Sequence, residues 1–251
     1  MTAMSDDTAP RRLRRPEASA AVEHLGWRYL LARFHTGVAV GSPAEAADVT
    51  ATAVRAAGPA DGHLRADLRP GRVLLSLQDP ALADVTSEDV EAAARITTVL
   101  RATAHTTSSG LTSDRAVGPQ ATDPAVATAV PRAEQSLEIA IDALDIPAVR
   151  PFWKAVLAYT DEPGQDGPAD PLVDPLGQGP AVWFQQMEAP RPQRNRIHFD
   201  ISVPHDEAQR RLAAALYAGG RLVNDGRAPA FWVLADPEGN EICICTWQGR
   251  D

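Results

Sequence analysis

A tandem repeat in the second half of the chain constrains its fold more than any other feature. "EIAIDALDIPAVRPFWKAVL" begins at Glu138 and "HFDISVPHDEAQRRLAAALYAGG" at His198. Each is an alternating apolar run that passes directly into a segment of helical periodicity. Downstream, "DPLGQGPAVWFQ" begins at Asp174 and "DPEGNEICICTW" at Asp236. Each is an Asp-Pro-x-Gly turn leading into a further strand. Self-similarity at this spacing reads as two βαβββ units in tandem. Each unit has one sheet face to bury, and pairing the two sheets builds a cup between them.

The faces of those strands carry different chemistry. In "RNRIHFDISV", residues 194–203, Ile197, Phe199, Ile201 and Val203 alternate with His198, Asp200 and Ser202, as in a half-buried strand. In the first strand of the repeat Ile139 and Ile141 alternate with Glu138, Ala140 and Asp142. In the last, Ile242 and Ile244 alternate with Glu241, Cys243 and Cys245. Glu138 and His198 begin equivalent strands, and Glu241 follows the equivalent turn. Two carboxylates and one imidazole on the polar faces suit a divalent metal such as Mn, Fe, Ni, Co or Zn. The fourth equivalent position is Gly179 or Ala181, depending on where the gap is placed, and neither can ligate. Three protein ligands leave positions open for water or substrate. The same residues also admit plainer roles. His198 can be a polar wall of a metal-free cup, and Glu241 can cap the Gly-Asn turn. Asp200, and with it Asp142, is a candidate general base or partner of a ligand, or a solvated carboxylate. Cys243 and Cys245 point to one face of a strand, badly placed to bond each other.

"LDIPAVRPFW" (144–153), "NRIHFDISV" (195–203) and "FWVLADPEGNEICI" (231–244) resemble the vicinal oxygen chelate superfamily in its glyoxalase-like branch. The resemblance implies two βαβββ modules forming a cup, with a metal held by the first and last strands of each. Carried onto this sequence, the ligand positions are Glu138, His198 and Glu241, with the fourth unmatched. The implied activity is that of a metal-dependent lyase, isomerase or dioxygenase acting on a small molecule with vicinal oxygens. The alternative is a metal-free binding or resistance protein.

Toward the N-terminus, residues 1–22 lack an apolar period and read as a disordered tail. Residues 23–104 read as a domain. "SPAEAADVTATAVRAAG" is a helix capped by Ser42 and ended by Gly58, "RVLLSL" is a strand, and "TSEDVEAAARITTVLRATA" is a second helix capped by Thr86 or Ser87. Residues 105–134 have the Thr/Ser/Ala/Pro composition of a linker, and 135–251 hold the repeat. Within the first domain, "HLRADLRPGRVLLSLQDPALADVTSEDVEAAARI" (63–96) resembles the second half of a pterin-4a-carbinolamine dehydratase. That family's fold is a sheet with helices on one face, often oligomeric, and its chemistry uses a set of histidines. Here His63 alone survives, with Gly62 and Pro80 where further histidines belong. His63 is therefore a candidate catalytic residue in a domain expected to lack dehydratase activity. Pterin binding is one alternative role, and Arg65 and Asp67 read as a charged hairpin rim or the lining of a remnant pocket.

The fold class expected is α+β. A dehydratase-like sheet with helices on one face precedes a tandem βαβββ glyoxalase-like cup. The partner expected is a small molecule, and a homo-oligomer is compatible with the sequence. A net charge of −9 argues against nucleic acid, and the basic run "RRLRR" at 11–15 reads as part of the solvated tail. No apolar run approaches a membrane span, no secretory signal opens the chain, and two cysteines fit a reducing cytoplasm.

Overall fold

The computed structural model describes residues 10–111, 132–133, 135–190 and 197–249. They fall into two compact units, Met1–Ser136 and Leu137–Asp251, both mixed α+β.

The first unit runs α1 (Arg15–Glu23), β1 (Arg28–Leu30), β2 (Arg33–Ala39), α2 (Pro43–Ala57), a 3-10 turn (Gly58–His63), β3 (Leu64–Arg69), β4 (Arg72–Leu77), α3 (Ser87–Ala102), β5 (Thr107–Ser108), β6 (Gly110–Leu111) and β7 (Arg132–Ala133). The main sheet is antiparallel, in the order β1-β2-β4-β3, and β5 pairs with β2. Alternation decides its faces. Phe34, Thr36 and Val38 from β2 and Val73, Leu75 and Leu77 from β4 are buried. The apolar ones join Val22 of α1, Val49 and Ala53 of α2 and Ile96 and Leu100 of α3 in one core. The Ser42 hydroxyl accepts from the Glu45 amide at 3.1 Å, which caps α2. Gly58 ends that helix at φ +64°, where a side chain would be strained.

Three expectations need correcting. Of the tail read as disordered, residues 10–22 are ordered onto this unit. The Leu13 amide donates to the Val85 carbonyl at 3.1 Å and the Ser87 amide to the Arg11 carbonyl at 2.9 Å. Leu13, Ala18 and Val22 are buried. The reason is that "RRLRR" turns only Leu13 inward, while the Arg12 guanidinium binds the Asp84 carboxylate. A single apolar residue among arginines gives no period to detect. The run is thus docked rather than a solvated tail. The start of the proposed linker is also ordered. Thr107 is buried and its hydroxyl donates to the Leu25 carbonyl at 2.6 Å, and the chain continues into β6. Residues 112–131 and 134 of that linker lie outside the described residues.

The second unit runs β8 (Glu138–Ala143), α4 (Ile146–Leu157), β9 (Thr160–Asp161), β10 (Leu172–Val173), β11 (Ala181–Gln186), β12 (Phe199–Ser202), α5 (Ala208–Tyr217), β13 (Arg221–Asn224), β14 (Phe231–Ala235) and β15 (Glu241–Cys245). It is βαβββ twice over. The sheets have the orders β8-β11-β10-β9 and β12-β15-β14-β13, and in each the first strand is parallel to the last. The helix starts where Asp145 accepts from the Ala148 amide at 3.1 Å, and its apolar stripe of Ile146, Val149, Phe152, Trp153 and Val156 is buried. That stripe shares one core with Ile141, Val182, Phe184, Leu234, Ile242 and Ile244, so both repeats contribute to it.

Contacts between the repeats fix their relation. The Trp153 indole donates to Asp236 at 3.0 Å and stacks edge-on against Phe199 at 6.1 Å. Glu238, in the second Asp-Pro-x-Gly turn, accepts from the amides of Leu144 and Asp145 at 2.9 and 2.7 Å. It thereby places negative charge at the N-terminus of α4, where the helix dipole favours it.

Candidate functional site

Register settles where the candidate ligands stand. In the first repeat Glu138 pairs with Ala181, and in the second Phe199 pairs with Ile242. His198, one residue ahead of Phe199, therefore comes level with Glu241, one residue ahead of Ile242. The core-facing residues match in the same way: Val182 and Phe184 occupy the places of Ile242 and Ile244. The fourth equivalent position is thus Ala181. Gly179 belongs to the preceding turn, where its amide donates to Asp174 at 2.7 Å. Two extra residues between turn and strand in the first repeat made the gap ambiguous in the sequence.

The strands turn Glu138, His198 and Glu241 away from the helices, as alternation requires. Glu138 and His198 are exposed and Glu241 is partly buried. Among the described residues, the three potential ligands whose atoms lie within 4.8 Å of one another are His198, Asp200 and Cys243. Glu138 and Glu241 stand outside that group. Asp200 pairs with Cys243 across the parallel strands, and His198 Nε2 lies 3.6 Å from Asp200 Oδ1.

The thiol is the unusual member. Burial pushes Cys243 up to about 12, and its hydrogen bond to Asp200 and the charge of that carboxylate push in the same direction. At neutral pH it is a neutral donor facing a carboxylate rather than a nucleophile. Neither cysteine is in a disulfide, and both are buried. Asp200 is exposed, so as a base it is open to solvent. It is engaged by His198 and Cys243 rather than standing alone. From the sequence, Cys243 is only a residue on the same strand face as Glu241 and Cys245. The signal available was that Asp200 and Cys243 lie two residues beyond His198 and Glu241, hence one step along the same face.

In the first unit, His63 Nδ1 lies 2.8 Å from Asp89 Oδ1. Asp89 is fully buried at the start of α3, and its other oxygen accepts from the Thr86 amide and hydroxyl at 2.7 and 2.9 Å. The helix start thus fixes the carboxylate, and the carboxylate orients the ring. Where the resemblance implies further histidines, Gly62 lies in the 3-10 turn and Pro80 in a turn where Asp79 accepts from the amides of Ala81 and Leu82. A single oriented imidazole can move a proton, but it has no second imidazole to relay it.

Comparison with known proteins bears on the second unit. Residues 138–245 match the family model of a glyoxalase-like domain. Among solved structures, a glyoxalase/bleomycin resistance protein/dioxygenase family enzyme from Burkholderia phytofirmans PsJN is 18% identical, with a TM-score of 0.36, and the match covers 43% of this chain and 95% of that one. A glyoxalase-related enzyme from Fulvimarina pelagi is 16% identical with a TM-score of 0.36, covering 45% of this chain and 88% of that one. The fosfomycin resistance protein of Mesorhizobium loti is 12% identical with a TM-score of 0.35, covering 45% and 92%. No curated protein matches. Among the described residues, no helix is long and apolar enough to cross a membrane.

Proposed function

We propose that the second unit binds a small organic molecule against the polar faces of the paired strands β8–β11 and β12–β15, without needing a resident metal. The observation that carries this reading is the register of Glu138 with Ala181. Where the second repeat offers a histidine level with a glutamate, the first offers a glutamate level with a methyl group. A metal at the repeat-equivalent places would have three protein ligands, with Ala181 unable to supply the fourth. Moreover, the donors gathered within 4.8 Å are His198, Asp200 and Cys243 rather than the equivalent set. Of these, the buried thiol is held in its neutral form, which a metal would have to deprotonate. The arrangement instead offers an imidazole and a carboxylate as hydrogen-bonding groups, the thiol hydrogen being directed at Asp200. A ligand with hydroxyls on adjacent carbons can accept from the one and donate to the other.

A second reading is favoured by one observation. Glu138, His198 and Glu241 occupy repeat-equivalent places, which suits two carboxylates and an imidazole around a divalent ion. When bound, such an ion would act as a Lewis acid on a substrate with vicinal oxygens. Under either reading the Asp200 carboxylate stands 3.6 Å from the His198 ring.

The two readings separate in one experiment on the full-length protein. Catechol and lactate, as vicinal-oxygen probes, are titrated by calorimetry in the presence of EDTA, and Mn, Ni and Zn are titrated into chelator-treated protein. Probe binding that survives EDTA and is lost in His198→Ala supports the metal-free cup. One-to-one metal uptake lost in both His198→Ala and Glu241→Gln overturns it in favour of the metal site.

A further inference from the structure

The sheet β1-β2-β4-β3 has a second face, turned away from its three helices, and it is rich in arginine. Cross-strand register places Arg28, His35, Ser76 and Arg65 in one row. Arg33, one step along β2, lies level with Gln78, whose side-chain oxygen accepts from its guanidinium. Asp67 is the one carboxylate at the strand positions of this face, and it is taken up by Arg69, whose Nε donates to it at 2.8 Å. Arg28 lies near Glu23 and donates to the Trp27 carbonyl at 2.8 Å. Arg33 and Arg65 remain, and neither has a carboxylate partner among the described residues. Arg33 is partly buried, and burial together with the charge of Arg65 holds its guanidinium below the usual value. Burial, and then Arg33, push His35 down to about 4, so that ring adds no charge at neutral pH.

Arg33, partly buried on β2, and Arg65, exposed on β3 across β4, share this face with no carboxylate partner among the described residues, and their like charges repel. They are placed to share a dianion. We propose that this face binds the phosphate group of a small phosphorylated molecule, with Arg33 and Arg65 supplying guanidinium forks and Ser76, between them on β4, its hydroxyl. A guanidinium fork matches two phosphate oxygens at once, and two such forks neutralise the double charge that distinguishes a phosphate monoester from a carboxylate. A nucleic acid fits less well. It needs a stripe of free cations along its backbone, whereas Arg69 and Arg28 are engaged and the chain carries a net charge of −9.

The test is calorimetric titration of inorganic phosphate and pyrophosphate into the full-length protein at fixed ionic strength, with chloride as the control. One-to-one binding is expected, weakened by about tenfold or more in Arg33→Gln and in Arg65→Gln. Arg69→Gln, which removes a cation already paired, should change it by less than about threefold. Because Arg33 also binds Gln78, Arg65→Gln is the variant that stands if Arg33→Gln misfolds. Relief of repulsion predicts that unliganded Arg65→Gln melts at or above the wild-type Tm. Unchanged phosphate affinity in Arg65→Gln, a lowered Tm with no loss of affinity, or binding of a thymidine oligonucleotide where phosphate fails would each overturn the proposal.

Discussion

Replacing Asp236 by asparagine tests whether the two repeats are joined as described. Asp236 is fully buried. Its Oδ1 accepts from the amides of Glu238 and Asn240 at 2.9 Å, and its Oδ2 accepts from the Asn240 side chain at 2.8 Å and the Trp153 indole at 3.0 Å. Asparagine keeps the shape but turns one acceptor into a donor. In one orientation its NH2 group meets two backbone amides, and in the other it meets the indole and the Asn240 amide. Asn240 can flip its own amide, but the indole cannot. At about 1–3 kcal/mol for each buried donor left without an acceptor, the loss is about 2–5 kcal/mol. Asp174 is the repeat-equivalent residue. It accepts from the amides of Leu176, Gln178 and Gly179 in a turn that reaches solvent. Water can replace what asparagine fails to accept there, so Asp174→Asn should cost about 0.5–1.5 kcal/mol. Hydrogen exchange across a urea series, read on peptides from 137–251, follows this unit separately from the other. The Asp236→Asn midpoint should fall by about 1–2 M urea. Equal shifts for Asp236→Asn and Asp174→Asn would refute the role given to the Trp153 contact.

Gly220→Ala should destabilise the second unit by about 1–3 kcal/mol in the same assay, because a Cβ there would meet Phe152 Cδ2 at 2.3 Å and the Ala215 carbonyl at 2.8 Å. Cys243 should be alkylated by iodoacetamide at pH 8 at least about a hundredfold more slowly than a free thiol. Asp200→Asn should speed that reaction, and peptide mass spectrometry would expose a reactive wild-type Cys243. Hydrogen bonds from Lys154 and then Arg150 hold the Asp161 carboxyl below its ordinary 3.8. A depressed carboxyl stabilises the fold above that value and loses the benefit as pH falls through its folded value. Acid titration of stability should therefore steepen below pH 3.8, and Asp161→Asn should flatten that limb; an unchanged limb in the variant contradicts the assignment.

The repeat was readable because two physical signals coincided in each copy, an alternating strand entering a helix and an Asp-Pro-x-Gly turn entering a strand. The Ser42 cap was readable for a similar reason, since a cap is local chemistry, and the second cap was narrowed to Thr86 or Ser87, of which the structure uses Thr86. What escaped the sequence was long-range. β3 is an edge strand of "LRADLR", mostly exposed, so nothing selects an apolar alternation there. The Leu13 amide is held by Val85, 72 residues away, and the Thr107 hydroxyl by Leu25, 82 residues away. At the candidate site, the faces of Glu138, His198 and Glu241 were legible from alternation. The pairing of Asp200 with Cys243 was not, because strand neighbours depend on where distant chain segments dock.

The parallel closure of each repeat has a consequence for how the chain must come together during synthesis. β8 sits at the edge of its sheet, and its one strand neighbour is β11; β12 stands in the same relation to β15. Glu138 waits for Ala181 and Phe199 for Ile242, forty-three positions in each case. No hairpin can begin either sheet at its first strand, so formation of that edge is governed by non-local encounters and is slow compared with local turns. Equal loop lengths carry equal closure entropy, so neither repeat leads on that ground. The first also emerges from the ribosome without Asp236 or Glu238, and so without acceptors for the Trp153 indole and the amides of Leu144 and Asp145. Until the last turn is made, the first repeat holds its helix with groups that only the second can satisfy, and residues 137–251 complete their fold as a single step once the second repeat has been made.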